Sequence, residues 1–121
     1  MILYASLASR EEDKDPIDLA ILESLDKYNL KEKYSNYKQV KFTPFDPIKK
    51  RTEALIEDSN GNKFYVTKGA PQVILKLTRL SEKLFDEIMK SVDKYAQRGY
   101  RMIGVAKRDD DKWIYVGLIP L

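Results

Sequence analysis

The stretch Asp58-Ser59-Asn60-Gly61-Asn62 separates two strand-like runs, residues 52–57 and 63–67, and its Asn-Gly pair accepts the positive backbone dihedrals of a tight turn. An antiparallel hairpin is therefore expected there. The pattern returns near the other end of the sequence, where residues 101–108 and 112–118 flank Asp109-Asp110-Asp111, with Met102, Val105, Trp113, Tyr115 and Val116 supplying strand-type bulk. Upstream, Val40 and Phe42 alternate with Lys41 and Thr43 until Pro44 and Pro47 interrupt the ladder, which predicts a strand over residues 37–45 running into a rigid turn.

Helical periodicity fills the intervals. Asp15-Pro16 ahead of Ile17, Ile21, Leu25 and Tyr28 reads as an N-cap, a first-turn proline and an apolar face. Pro71 opens a second helix with Val73, Ile74 and Leu77 on one face, leaving backbone amides exposed beside Gly69. Residues 81–98 give the strongest signal: Ser81 as cap, Gly99 as terminator, and Leu84, Phe85, Ile88, Met89, Val92, Tyr95 and Ala96 as a stripe expected to be buried core. Helices interleaved with antiparallel hairpins indicate an α+β layer fold, one sheet with helices against it.

At 121 residues, 43% hydrophobic and 34% charged, the chain suits one domain spanning residues 1–121 with its own core. No run approaches the roughly 18 apolar residues that cross a bilayer, and residues 1–8 lack the basic flank of a signal peptide. With no Cys and no His, thiolate or imidazole metal sites, cysteine nucleophiles and Ser-His-Asp chemistry are excluded. Binding is thus favoured over catalysis. The formal charge of +3 is mild and its signs are interspersed, so anionic partners are permitted rather than demanded. Abundant Lys, Glu, Ile and Tyr without Cys leans towards a thermophile.

Phe42-Thr43-Pro44-Phe45-Asp46-Pro47, then Lys50-Arg51-Thr52-Glu53-Ala54, then Lys68-Gly69-Ala70-Pro71-Gln72 form an ordered set. With residues 8–12, Asp15-Pro16-Ile17-Asp18, residues 98–101 and the closing residues 117–121, this set resembles the nucleotide-binding (N) domain of P-type ATPases over nearly the whole chain. The Phe-Asp-Pro and Lys-Gly-Ala-Pro-Gln segments look closest to the P3 proton-pumping branch. The resemblance implies an antiparallel sheet of about six strands flanked by helices, the same α+β class that the patterning indicates. It also implies ATP as ligand, Mg-ATP in the parent enzyme, and the pump's phosphorylation and actuator domains as partners, with no nucleic acid. A monomer cut from a larger cytoplasmic-side assembly is expected.

Carried over residue by residue, Phe45 stacks on adenine, worth roughly 1 to 3 kcal/mol per base, and Phe42 takes a core role. Lys68 lies deep in the adenine pocket, against the base face or a ring nitrogen. Gly69 and Ala70 form a wall that the base can approach closely. Asp18 accepts the exocyclic amine or supports the positive end of its own helix, two roles that can coexist. Lys50 and Arg101 face ribose and phosphates. Pro47 stands where calcium-type pumps carry a phosphate-contacting arginine.

The Asp-Lys-Thr-Gly-Thr segment that accepts the phosphoryl group, and a magnesium-binding acidic segment, are missing from the sequence. No catalytic or metal-ligating residue is therefore assigned, and this polypeptide alone is not expected to turn over ATP. Two readings compete: a basic domain binding single-stranded nucleic acid, from its lysines and eight Tyr, and an interaction domain using the apolar residues 113–121. Ending on Gly117-Leu118-Ile119-Pro120-Leu121, the chain reads either as cut at a domain boundary or as closing on an ordinary buried strand.

Overall fold

The burial of β2, Arg51–Glu57, alternates strictly, with Thr52, Ala54 and Ile56 turned into the protein. This is the period of a strand with one covered face. In a computed structural model that describes residues 1–12 and 14–121, β2 is flanked by β1 (Lys38–Asp46) and β3 (Lys63–Gly69), followed by β4 (Met102–Arg108) and β5 (Ile114–Pro120). All neighbours are antiparallel in the order β1-β2-β3-β4-β5, so the sheet has five strands where about six were expected. Both predicted hairpins form. At the first, the Asp58 carboxylate accepts the amides of Asn60 and Asn62 at 2.9 Å, and Gly61 takes φ +84°.

Two helices cover one face. Helix α1, Ile2–Leu7, which no cap signal reveals in the sequence, buries Ala5, Ser6 and Leu7. Leu7 and Ala8 meet Ala54, Ile56 and Val66, while Ala5 joins Ile21, Val105 and Ile119. Helix α2, Pro16–Lys27, starts as its sequence predicts: the Asp15 carboxylate accepts the Ile17 and Asp18 amides at 2.8 and 3.2 Å, and Ile21 and Leu25 are buried. A short α3, Lys31–Ser35, was not anticipated; it buries no residue and has no side-chain cap.

The opposite face is taken by α4, Pro71–Leu77, whose Ile74 side chain packs so closely over Gly104 that a Cβ there would lie 2.9 Å from its own Cβ. The residues α4 buries are Pro71, Ile74 and Leu75, so Val73 and Leu77 are not the inner stripe. The amide of Ala70, expected to be free, donates to the Lys50 carbonyl at 3.3 Å.

Helix α5, Glu82–Gln97, has the expected ends. Ser81 Oγ accepts from Leu84 N, Gly99 has φ +89°, and Tyr100 N returns to Tyr95 O with the two rings in edge contact. Its stripe is not core, however. Phe85, Ile88, Met89 and Val92 are half-buried, Leu84, Tyr95 and Ala96 are exposed, and no α5 residue is fully covered. The reason is position: α5 leans on α4 and the margin of β4, because α4 already occupies that sheet face. Periodicity identifies the side of a helix that meets protein; it does not say how much protein lies there.

Candidate functional site

Register builds the site. Thr52 on β2 lies directly opposite Lys68 on β3, both turned to the face that α1 and α2 cover. Helix α2 brings Asp18 over them from its first turn. Lys68 Nζ donates to Asp18 Oδ1 at 2.6 Å and to Thr52 Oγ1 at 3.3 Å. Asp18 Oδ2 accepts the Arg10 amide at 3.1 Å, and the Thr52 hydroxyl donates to the Ala8 carbonyl at 2.8 Å. Lys68 and Asp18 are each only 4% exposed. Burying both charges is tolerable because each offsets the other and both carboxylate oxygens are satisfied.

This pair floors a cleft of about 430 Å³, a size typical of small-ligand sites. Helix α2 and the residues before it supply one wall through Lys14, Asp15, Pro16 and Ile17, while Phe42, Pro44 and Phe45 of β1 supply another. Thr52, Gly69, Ala70 and Ile103 complete the lining. Phe45 is 56% exposed, an aromatic face held at the mouth with one side open to solvent. Phe42 does two jobs: it packs at the edge of the Ala54–Ile56–Val66 cluster, as a core residue would, and also lines the cleft beneath the Arg10 guanidinium, 4.7 Å from its ring centroid.

Of the residues singled out in the sequence, the structure thus gathers Asp18, Phe45, Lys68, Gly69 and Ala70 around one cavity. Lys50 and Arg101 do not line it. Both side chains are exposed, at the end of the sheet where Arg51 pairs with Gly69 and Gly69 with Gly104. Lys50 contributes instead through its carbonyl, which packs against Gly69 and accepts the Ala70 amide. The small size of Gly69 accordingly serves the approach of β2. Among the described residues the Asp18 carboxylate bonds Lys68 and the Arg10 amide and no amide of its own helix.

Sequence reasoning missed Thr52, Lys14, Ile17 and Ile103 as lining residues. Thr52 stood within the quoted Lys50–Ala54 motif and was legible from the hairpin: counting back from the Asn-Gly turn sets it opposite Lys68. A second hollow, about 600 Å³, lies beside Glu11, Glu12, Tyr34 and Gln39. Burial first, then Glu12 and Glu11, push the Tyr34 phenol above its ordinary range, and Arg10 and Lys31 line the same hollow beside the two carboxylates.

A family model described as P-type ATPase, cytoplasmic domain N, matches residues 5–115. The chain belongs to the N-domain family of P-type ATPases. As an N domain it is 52% identical over its full length to a protein of Methanocaldococcus jannaschii named as a cation-transporting ATPase. It is 38% identical over 98% of its length to one of Leishmania donovani named as a proton ATPase. A plasma membrane ATPase of Candida albicans is 35% identical over 99% of the chain. The N domain spans 15%, 12% and 14% of these relatives respectively. Its α+β architecture agrees with the family, and among the described residues no helix is long and apolar enough to cross a membrane.

Proposed function

We propose that this N domain binds ATP by its adenine, in the cleft between α2 and β1, and presents the triphosphate to a phosphorylation domain of a cation pump. The observation that carries this reading is the pairing of a buried acceptor and donor, Asp18 and Lys68, beneath an exposed aromatic ring, Phe45. Adenine offers an amine donor beside ring-nitrogen acceptors, and a π face. One N–H of the Lys68 ammonium has no partner among the described residues, and Asp18 keeps lone pairs beyond its two bonds. The base would lie over the bonded pair, meeting the remaining N–H and the free lone pairs, with Phe45 closing over it. Lys50 and Arg101, at the same end of the sheet, are suited to meet the phosphates as they leave the cleft.

Proton as the cargo rests on the P3-like motifs and on the name of the Leishmania relative. In the parent pump the nucleotide would be Mg-ATP, and transfer would require the N domain to swing towards its neighbour. Stacking with few phosphate contacts makes affinity near millimolar the expectation, about 4 kcal/mol.

Amide chemical shifts during titration with ATP, adenosine and triphosphate test the reading. Shifts around Asp18, Phe45, Lys68 and Gly69 are expected with ATP and adenosine; none at millimolar ATP would refute it. Phe45→Ala is expected to weaken ATP and adenosine alike by about tenfold or more, leaving the melting temperature within about 2 °C because the ring is largely exposed. An unchanged affinity would remove Phe45 from the site.

A further inference from the structure

The bond directions around Thr52 are fixed by chemistry. A backbone carbonyl can only accept, so the single hydroxyl proton of Thr52 goes to Ala8 O, 2.8 Å away. An ammonium can only donate, so what Thr52 offers Lys68 Nζ at 3.3 Å is a lone pair. The hydroxyl cannot rotate to serve the ammonium differently without abandoning a buried carbonyl, and the residue is 4% exposed. The Thr52 main chain is held as well, since the Thr67 hydroxyl donates to its carbonyl at 2.5 Å and itself accepts Arg51 Nη1 at 3.2 Å.

Two of the three Lys68 N–H directions are therefore set by partners that are each held by a further bond: the carboxylate of α2 and the hydroxyl of β2. The third follows by tetrahedral geometry. We propose that Thr52 is a positioning residue for nucleotide recognition, orienting the Lys68 ammonium so that its remaining N–H serves the base. Thr52 acts through Lys68, and the residues just after α1 take part from behind: Ala8 O orients Thr52, and Arg10 N holds the second oxygen of Asp18. The donor and the acceptor of the cleft thus share one backbone segment as their support.

This inference rests on the ATP reading, and the test separates the two. Thr52→Val keeps the shape but removes both the lone pair offered to Lys68 and the proton given to Ala8 O; Thr52→Ser restores both. The valine variant is expected to bind ATP and adenosine about three- to tenfold more weakly, in keeping with one lost bond to a charged group. Triphosphate binding should not change, and the serine variant should lie within about twofold of the parent. A merely structural role would lower the melting temperature and weaken adenosine and triphosphate alike, whereas a positioning role weakens adenosine and spares triphosphate.

A wild-type domain that fails to bind adenosine sinks both readings. One that binds adenosine, beside a folded valine variant that binds it equally, sinks this proposal alone. Should the valine variant not fold, the Lys68 ammonium resonance of the wild-type domain decides. Proton contacts between that ammonium and Thr52, with and without adenosine, support the assignment, and their absence in either state overturns it.

Discussion

Lys68→Met lowers the melting temperature by roughly 10 to 20 °C, corresponding to about 3 to 5 kcal/mol for a domain of this size. The cause lies in what remains. Removing the ammonium leaves the Asp18 carboxylate under α2 with the Arg10 amide as its remaining partner among the described residues, in a place where water scarcely reaches. An uncompensated buried charge costs more than the original pair contributed. The double variant Asp18→Asn/Lys68→Met should recover at least half of the loss, because asparagine can still accept the Arg10 amide while carrying no charge. Thermal unfolding followed by circular dichroism checks both. A single variant melting within about 2 °C of the parent would show that the pair is not desolvated, and that the cleft floor is other than described. Adenosine binding should be absent from both variants, so recovered stability without recovered binding separates the structural role of the pair from its recognition role.

Gly69→Ala is expected to cost about 3 kcal/mol and to abolish nucleotide binding. A methyl group on this residue would collide with the Lys50 carbonyl oxygen and lie 2.7 Å from Arg51 Cβ and 2.8 Å from Arg51 Cα, where contacts under 3.0 Å essentially do not occur. Most of these atoms are backbone or fixed to it, so relief requires β2 and β3 to part at the end that carries Lys68. Gly61→Ala provides the contrast: it has open space around it and a φ of +84°, so the expected cost is about 1 kcal/mol with the cleft untouched. Equal effects at the two positions would mean that the close approach at Gly69 does not exist.

The hairpins and the start of α2 were legible because local chemistry decides them: Asn60-Gly61 admits one kind of turn, and Asp15-Pro16 caps a helix by itself. Helix α1 was not, because Ile2–Leu7 carries no cap and owes its burial to the sheet beneath it. The α5 stripe misled for the opposite reason. Its periodicity is strong, but Gly104 lets α4 lie close against the sheet, and α5 receives only the margin. In the site, Phe45, Asp18 and Lys68 were identified through motif resemblance, whereas the bond between Asp18 and Lys68 crosses fifty residues and is settled by packing alone. Lys50 has a role that motif resemblance does not show: its side chain is exposed and absent from the cleft lining, while its carbonyl shapes the wall.

The cleft wall on β1 also bears on how the chain meets its own copies. β1 is an outer strand of the sheet, and its register with β2 breaks between Thr43 and Asp46, where Pro44 and Phe45 stand. A proline there withholds one amide, and the irregular backbone denies a visiting strand a continuous row of partners. The segment that holds an aromatic ring over the cleft therefore also blunts the edge, making strand-by-strand growth into fibrils unfavourable along this side of the sheet.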